Sequence, residues 1–137
     1  MAVFEIAFRR RVPIEGGFCA DETDDGCWSG GKQGYGELTG TNWGITSPEY
    51  SKYIGHTASV AEMKAMPIEH AMDIFRKNYW NKFRGDEIDN QLISNDLYDD
   101  CVNCGLVTGI KHIQEAAGIK ITGKMDDLTL NTLNNKI

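Results

Sequence analysis

The feature that most constrains this chain is a glycine-rich stretch between two segments of helical pattern. Nine of its fifteen glycines fall within residues 16–46, where short polar and aromatic pieces alternate with turn signals. Glycine at this density disfavours continuous helix and long strands, because it loses more backbone entropy on ordering than any other residue. We therefore expect a loop-rich lobe that can contain β-hairpins. We also expect functional residues within it, since such residues often lie on irregular segments.

Helical patterns flank this lobe on both sides. Residues 2–12 carry apolar side chains at helical spacing and run into Pro13, near which the helix should end. Beyond the lobe, "TSPEY" offers a capping box that starts a helix near residue 46. Further helices are expected over 67–80, 91–104 and 106–117, separated at Gly105 and followed by a short helix capped by Asp126.

Length and charge narrow the class of protein. The 137 residues correspond to one domain, which we expect to be mainly α. A net charge of −6 argues against nucleic acid as a partner, and the basic run Arg9–Arg11 is interpreted as a solvated helix end. No apolar run is long enough for a transmembrane segment and no signal peptide is visible, so we expect synthesis in the cytoplasm.

The four cysteines leave three readings open. They can all be free thiols, Cys19 and Cys27 can form a disulfide across a loop, or a metal can be bound. Cys101 and Cys104 form a single C-x-x-C motif inside a predicted helix, where a disulfide is poorly placed and a second zinc-binding knuckle is missing.

The chemistry that remains is carboxylate chemistry. None of the three histidines accompanies a nucleophile signature, and the aspartates at 21, 24 and 25 miss the spacing of a calcium loop. Glu15 follows an apolar helix and precedes two glycines, Gly16 and Gly17, that would let a sugar chain approach the backbone. Two carboxylates can hydrolyse a glycoside, and Glu15 would be the acid with Asp24 as its ionised partner. From the residues alone, a helix end followed by a solvated acidic loop is the favoured explanation of the pattern.

A family resemblance changes that balance. "EGGF", an aspartate nine positions after the glutamate, and then "TNWGIT" resemble the signature of the glycoside hydrolase family 108 N-acetylmuramidases, which include phage endolysins and bacterial secretion activator proteins. Downstream, "NYWNKFRGDEIDNQLISNDLYDDCVNCG" is similar to the stretch that follows in these proteins. The segment "GIKHIQEAAGIKITGKMDDLTLNTLN" resembles their predicted peptidoglycan-binding tail.

The resemblance implies a lysozyme-like fold and cleavage of the β-1,4 bond between N-acetylmuramic acid and N-acetylglucosamine in peptidoglycan. Glu15 then matches the proton donor, Asp24 the loop aspartate and Thr41 the threonine near the attacking water. It also implies a catalytic part over residues 1–66 and a peptidoglycan-binding part over 67–137. No metal or organic cofactor is required, the protein would act on the cell wall after release or export, and a monomer is expected.

One departure from the family pattern bears on the second carboxylate. About a dozen extra residues, "CWSGGKQGYGEL", separate the loop aspartate from Thr41. Asp21, Asp25 or Glu37 could therefore take the place of Asp24.

The resemblance gives several other side chains a second reading. Trp28, Tyr35 and Trp43 could stack on sugars, Tyr79 and Trp80 could line the cleft, and Asn103 could bind a substrate amide, although core packing and helix contacts are alternatives. Gly16 and Gly17 complete the predicted substrate-binding set. The alternative functions are a non-catalytic peptidoglycan-binding or secretion-accessory protein and a lytic transglycosylase.

Overall fold

The fold is built from seven α-helices in the part of the chain that the structure describes. A computed structural model describes residues 1–15 and 17–136, with the backbone alone for residues 13–15. The helices are α1 Phe4–Glu15, α2 Ser47–Ile54, α3 Val60–Lys64, α4 Ile68–Phe75, α5 Gln91–Cys104, α6 Leu106–Ala116 and α7 Asp127–Leu133. Short 3-10 turns cover Asp25–Cys27 and Gly85–Glu87, and a π-helical turn follows α4 at Arg76–Trp80.

The contacts divide the chain into two compact units. The helical unit comprises Met1–Arg11 and Phe75–Ile137, and the glycine-rich unit comprises Val12–Ile74. The division expected from the family resemblance, residues 1–66 and 67–137, concerns catalysis and cell-wall binding and stays a prediction. None of the helices in the described part of the chain is both long and apolar enough to cross a bilayer.

The glycine-rich unit is held by turns and caps rather than by a sheet. Among the described residues, strand pairing is limited to three isolated antiparallel bridges, which are Cys19–Thr41, Trp28–Leu38 and Asn42–Ile45. The predicted capping box is present, because the Thr46 hydroxyl accepts from the Glu49 N–H and the Glu49 carboxylate accepts from the Thr46 N–H. The loop-rich lobe is confirmed, and in place of β-hairpins the described residues form only these isolated bridges.

The helical unit packs around Trp80. Its side chain has no exposed surface, and its ring meets those of Phe4 and Phe83 edge-on at centroid distances of 5.6 and 5.4 Å. Its indole N–H donates to the Asp86 carboxylate at 2.8 Å. A Cβ on Gly85 would lie 2.3 Å from the ring, so only glycine permits this approach. A similar close contact joins α5 and α6, where a Cβ on Gly109 would lie 2.6 Å from the Cys101 Sγ of α5.

Two of the predicted helices need correction. The first helix starts at Phe4 and extends two residues beyond Pro13, which removes one helical N–H without ending the helix. The helix expected over 67–80 ends at Phe75 and continues as the π-helical turn. The predicted helices over 91–104 and 106–117 and the Asp126 cap are confirmed.

The basic run on the first helix is only partly solvated. Arg9 pairs with Glu5 on the surface at 2.8 Å. Arg11, in contrast, is 6% exposed and donates to the Asn103 side chain at 2.6 Å and to the Asp99 carbonyl at 3.2 Å. The interpretation as a solvated helix end is therefore wrong for Arg11, because a guanidinium can be buried where α5 supplies acceptors.

Candidate functional site

The predicted acid, Glu15, is the last residue of α1. Its side chain and the whole of Gly16 lie outside the described residues, so their predicted roles stay predictions. Gly17 is exposed, and a Cβ added to it would meet no atom within 4 Å. The described part of the site therefore resumes at Gly17, the last residue of the "EGG" motif, where there is open space.

Thr41 is paired directly with the segment that follows this motif. Cys19 and Thr41 exchange both backbone hydrogen bonds, at 2.9 Å for Cys19 N–H to Thr41 oxygen and 2.7 Å for the reverse. Gly40 precedes Thr41 with φ +92°, and a Cβ there would lie 2.5 Å from the Phe18 ring. The predicted catalytic threonine is thus held by Cys19, and Cys19 follows Glu15 by only four positions in the sequence.

The loop aspartate is connected to the same framework through Cys27. The Asp24 carbonyl accepts from the Cys27 N–H at 3.0 Å, and the Cys27 carbonyl accepts from Thr39 and Gly40 N–H groups at 2.9 Å each. The buried Cys27 thiol lies 3.5 Å from the Cys19 carbonyl oxygen and donates to it. Continuous hydrogen bonds therefore run from Asp24 to the residue before Thr41.

The extra residues before Thr41 fold back on themselves. Trp28 bridges to Leu38, Ser29 N–H donates to the Glu37 carbonyl at 2.8 Å, and Gly30 N–H donates to the Tyr35 carbonyl at 2.9 Å. The insertion consequently closes at its base, where Cys27 meets Thr39 and Gly40. The segments on either side of the insertion therefore remain hydrogen-bonded to each other, despite the extra length that left the role of Asp24 open in the sequence analysis.

The three loop aspartates have different surroundings. The Asp24 carboxylate accepts from the Gly26 N–H at 2.9 Å and is exposed. The Asp25 carboxylate accepts from the N–H of Gln33 within the insertion. The Asp21 carboxylate accepts from both the N–H and the hydroxyl of Thr23, and these bonds lower its pKa. Asp25 and Asp21 therefore stabilise local turns, while Asp24 starts the turn that leads to Cys27.

Two side chains of "TNWGIT" hold a segment that the sequence did not connect to the site. Buried Asn42 donates to the Met63 carbonyl at 2.8 Å and to the Lys64 carbonyl at 3.4 Å. The Trp43 indole N–H donates to the Met66 carbonyl at 3.0 Å, and Trp43 itself has φ +55°, a left-handed conformation that is uncommon for a bulky residue. Trp43 is half-buried, so one part of its ring remains accessible while the indole is anchored.

Asn42 and Lys64 were missed by sequence reasoning. Their contacts join positions more than twenty residues apart, and no local spacing rule reports such contacts. The placement of asparagine inside a motif with a candidate catalytic threonine was the available signal.

Two aromatic sugar-binding candidates in the glycine-rich unit lie on the insertion. The half-buried Trp28 donates its indole N–H to the Glu22 carbonyl at 2.9 Å. Tyr35 is 58% exposed, with the Lys32 ammonium 5.5 Å from its ring centroid.

The remaining predicted substrate residues belong to the helical unit. Trp80 is wholly buried and its indole N–H donates to Asp86, which favours the core packing that was its alternative reading over a sugar contact. Tyr79 is half-buried and stacks on Phe75 at 6.0 Å between centroids. Asn103 is exposed and accepts a hydrogen bond from Arg11, which favours the helix contact that was its alternative reading.

The cysteines and acids do not assemble a metal centre in the described residues. All four cysteines are free thiols in the structure, with Cys27 and Cys101 buried and Cys19 and Cys104 exposed. Burial raises the pKa of Cys101 to about 12, so its thiol is unreactive at neutral pH.

Comparison with known proteins decides the family. The family model described as glycosyl hydrolase 108 matches residues 8–105, which is more than half of the chain. The chain belongs to the glycosyl hydrolase 108 family. This membership assigns it to the glycoside hydrolases, with peptidoglycan as the substrate class. No curated protein sequence matches the chain.

A solved structure supports the family and the fold. Brucella abortus SagA matches with a TM-score of 0.70 and 30% sequence identity, over 96% of this chain and 68% of SagA. The glycosyl hydrolase 108 prediction and the mainly α, lysozyme-like fold are therefore confirmed. Residues 106–137, which contain α6 and α7, lie outside the family match, and their binding to peptidoglycan stays a prediction.

Proposed function

We propose that this glycosyl hydrolase 108 member is an N-acetylmuramidase. It would cleave the β-1,4 bond between N-acetylmuramic acid and N-acetylglucosamine in peptidoglycan glycan strands. Glu15 would protonate the glycosidic oxygen, while Asp24 and Thr41 position water or shield the positive charge that develops on the sugar ring.

The observation that carries the proposal is the double hydrogen bond between Cys19 and Thr41. It joins the segment after "EGG" to the segment that carries the predicted threonine. The Cys27 carbonyl adds the Asp24 turn to the same framework through Thr39 and Gly40. The turn that carries Asp24 and the segment that carries Thr41 thus share one hydrogen-bonded framework despite the insertion, and Cys19 of this framework follows Glu15 by four positions in the sequence.

The environment of Asp24 suits the second carboxylate. Its exposed side chain can approach water, and its hydrogen bond from Gly26 fixes the start of the turn. The Thr41 hydroxyl can both donate and accept a hydrogen bond, as a residue that orients a water molecule must. The mechanism needs no metal or organic cofactor, because both the acid and its partner are side chains of this chain.

The cellular setting follows from the substrate. Peptidoglycan lies outside the cytoplasmic membrane, so the protein would be made in the cytoplasm and act on the wall after release or export. Recognition would rest on contacts in the cleft, with Trp43 as an aromatic surface for a sugar ring and Gly16 and Gly17 as the close approach to the backbone.

Analysis of the products from purified peptidoglycan tests this function. A muramidase releases fragments whose new reducing end is N-acetylmuramic acid, detected by borohydride reduction and mass spectrometry. Fragments ending in 1,6-anhydro-N-acetylmuramic acid would instead indicate a lytic transglycosylase. Binding to peptidoglycan without new ends would contradict an enzymatic role and favour an accessory protein.

A further inference from the structure

Lys64 is a cation of the glycine-rich unit that lies beside the candidate site. Its ammonium lies 5.3 Å from the centroid of the Phe18 ring, which is within the range of a cation–π contact. Phe18 directly follows Gly17 and precedes Cys19, the residue paired with Thr41. The exposed Lys64 side chain therefore lies beside the segment that links the predicted acid to the predicted threonine.

The backbone of Lys64 is attached to the "TNWGIT" motif. The Asn42 side chain donates to the carbonyls of Met63 and Lys64, and the Trp43 indole donates to the carbonyl of Met66. These bonds fix the end of α3 against the residues that flank Thr41. The backbone from which the Lys64 side chain extends is consequently held by the same motif that carries the threonine.

The charge of the surrounding unit makes this lysine unusual. Residues 12–74 contain three lysines, no arginine and ten carboxylates, a formal charge of −7, whereas the helical unit has a formal charge of +1. Among the described residues, no carboxylate lies within ion-pair distance of Lys64. Its charge is therefore available to a ligand, while the many acids around the unit would repel an anion elsewhere.

We propose that Lys64, placed on the Phe18 ring, binds a carboxylate of the substrate and determines specificity for acidic glycan strands. The inference rests on the proposed muramidase function. Muramic acid carries a lactyl carboxyl group, which is free in strands stripped of peptide, and stem peptides carry carboxylates of their own. Lys64 would contact such a group in both the ground state and the transition state, so its loss should raise KM and leave kcat unchanged.

The matched control is Lys32, a second lysine of the same unit whose ammonium lies 5.5 Å from the centroid of an aromatic ring, that of Tyr35. Lys64→Met and Lys32→Met each remove one charge and keep an unbranched apolar side chain that can pack on the ring. Lys64→Arg retains the charge. The substrates are intact peptidoglycan, peptide-free glycan strands, and peptide-free strands whose carboxylates have been converted to amides.

Lys64→Met should raise KM about five- to tenfold on substrates with the recognised carboxylate, the loss expected for one hydrogen bond that is partly exposed to solvent. Lys32→Met and Lys64→Arg should keep the wild-type KM, and amidated strands should abolish the difference between Lys64→Met and wild type. An effect on peptide-free strands assigns the lactyl carboxylate, and an effect on intact peptidoglycan alone assigns the stem peptide.

Equal KM values for Lys64→Met and wild type on every substrate would overturn the proposal, as would an equal loss on amidated strands. If the wild-type protein releases no reducing ends, the muramidase function itself fails. Calorimetric binding of the same native and amidated strands then decides on Lys64 separately, with the dissociation constant in place of KM.

Discussion

Asp24 accepts a hydrogen bond from the Gly26 N–H at 2.9 Å and thereby caps the 3-10 turn that ends at Cys27. Cys27 in turn receives the N–H groups of Thr39 and Gly40. The orientation of the Asp24 turn is therefore linked to the segment that precedes Thr41. Asp21 accepts hydrogen bonds from Thr23 within its own turn, and Asp25 accepts one from Gln33 in the insertion. These contacts separate their roles from that of Asp24.

This difference predicts the outcome of three substitutions. Asp24→Asn should keep the cap, because asparagine also accepts a backbone N–H, and should lower the rate of peptidoglycan cleavage about 100-fold. Asp21→Asn and Asp25→Asn should retain most activity. Reducing-end assays on the three variants check this, with thermal unfolding as the control for folding. A collapse in Asp21→Asn or Asp25→Asn, with little effect of Asp24→Asn, would move the second carboxylate along the loop.

Two glycines near the site should respond differently to alanine. Gly40 has φ +92° and no room for a Cβ beside Phe18, so Gly40→Ala should destabilise the fold by about 2 kcal/mol or more. Gly17 has open space, so Gly17→Ala should leave the unfolding midpoint unchanged and lower activity if a sugar passes close to the backbone there. Urea unfolding and cleavage rates of both variants provide the comparison, and an inactive but equally stable Gly40→Ala would contradict the packing argument.

A buried amide should dominate the stability of the C-terminal part. Gln114 has no exposed surface, and its side chain donates to Thr122, Lys124 and Thr129 and accepts from the Thr122 and Gly123 N–H groups. Gln114→Ala should lower the free energy of unfolding by about 2–4 kcal/mol, because several buried polar groups lose their partner.

The neighbouring Glu115 is exposed on the same helix, and Glu115→Ala serves as the matched control, with an expected change near zero. Chemical unfolding monitored by circular dichroism measures both variants. Equal midpoints for Gln114→Ala and Glu115→Ala would show that the network contributes nothing to stability.

The stability of the last helix, α7, should depend on pH through its N-cap residue, Asp126. Hydrogen bonds from the Thr129 hydroxyl and N–H lower the pKa of Asp126 in the folded state. A depressed folded-state pKa means that the stabilisation is complete above the unfolded-state pKa, about 4, and is lost as the pH falls through the folded-state pKa.

Asp126→Asn keeps a cap that does not titrate. The wild-type advantage over Asp126→Asn should therefore be largest near neutral pH and shrink in unfolding experiments below about pH 4. A stability difference that stays constant from pH 7 to pH 2.5 would contradict the assigned role of the ionised carboxylate.

The local elements of the fold could be predicted because their causes are local. The box formed by Thr46 and Glu49, the break at Gly105 and the Asp126 cap all depend on residues within a few positions of each other. The π-helical turn after Phe75 was not predicted; it ends at Trp80, which packs against Phe4 far away in the sequence, and local spacing does not report such a contact.

The candidate site residues were predicted by the family resemblance, and residue patterns alone support them only in part. Spacing alone does not reveal that the insertion before Thr41 closes at Cys27, since that depends on long-range backbone bonds. The burial of Arg11 and the attachment of Lys64 to Asn42 likewise depend on partners far along the chain. Sequence patterns report local preference, and these contacts are decided by tertiary packing.

The central claim is tested most directly by Glu15→Gln, measured as reducing-end release from purified peptidoglycan. Glu5→Gln, an exposed position on the same helix, is the matched control. The account predicts that Glu15→Gln loses at least about 100-fold in rate, with an unchanged unfolding midpoint, while Glu5→Gln cleaves as the wild type does. Cleavage by Glu15→Gln at the wild-type rate would contradict it.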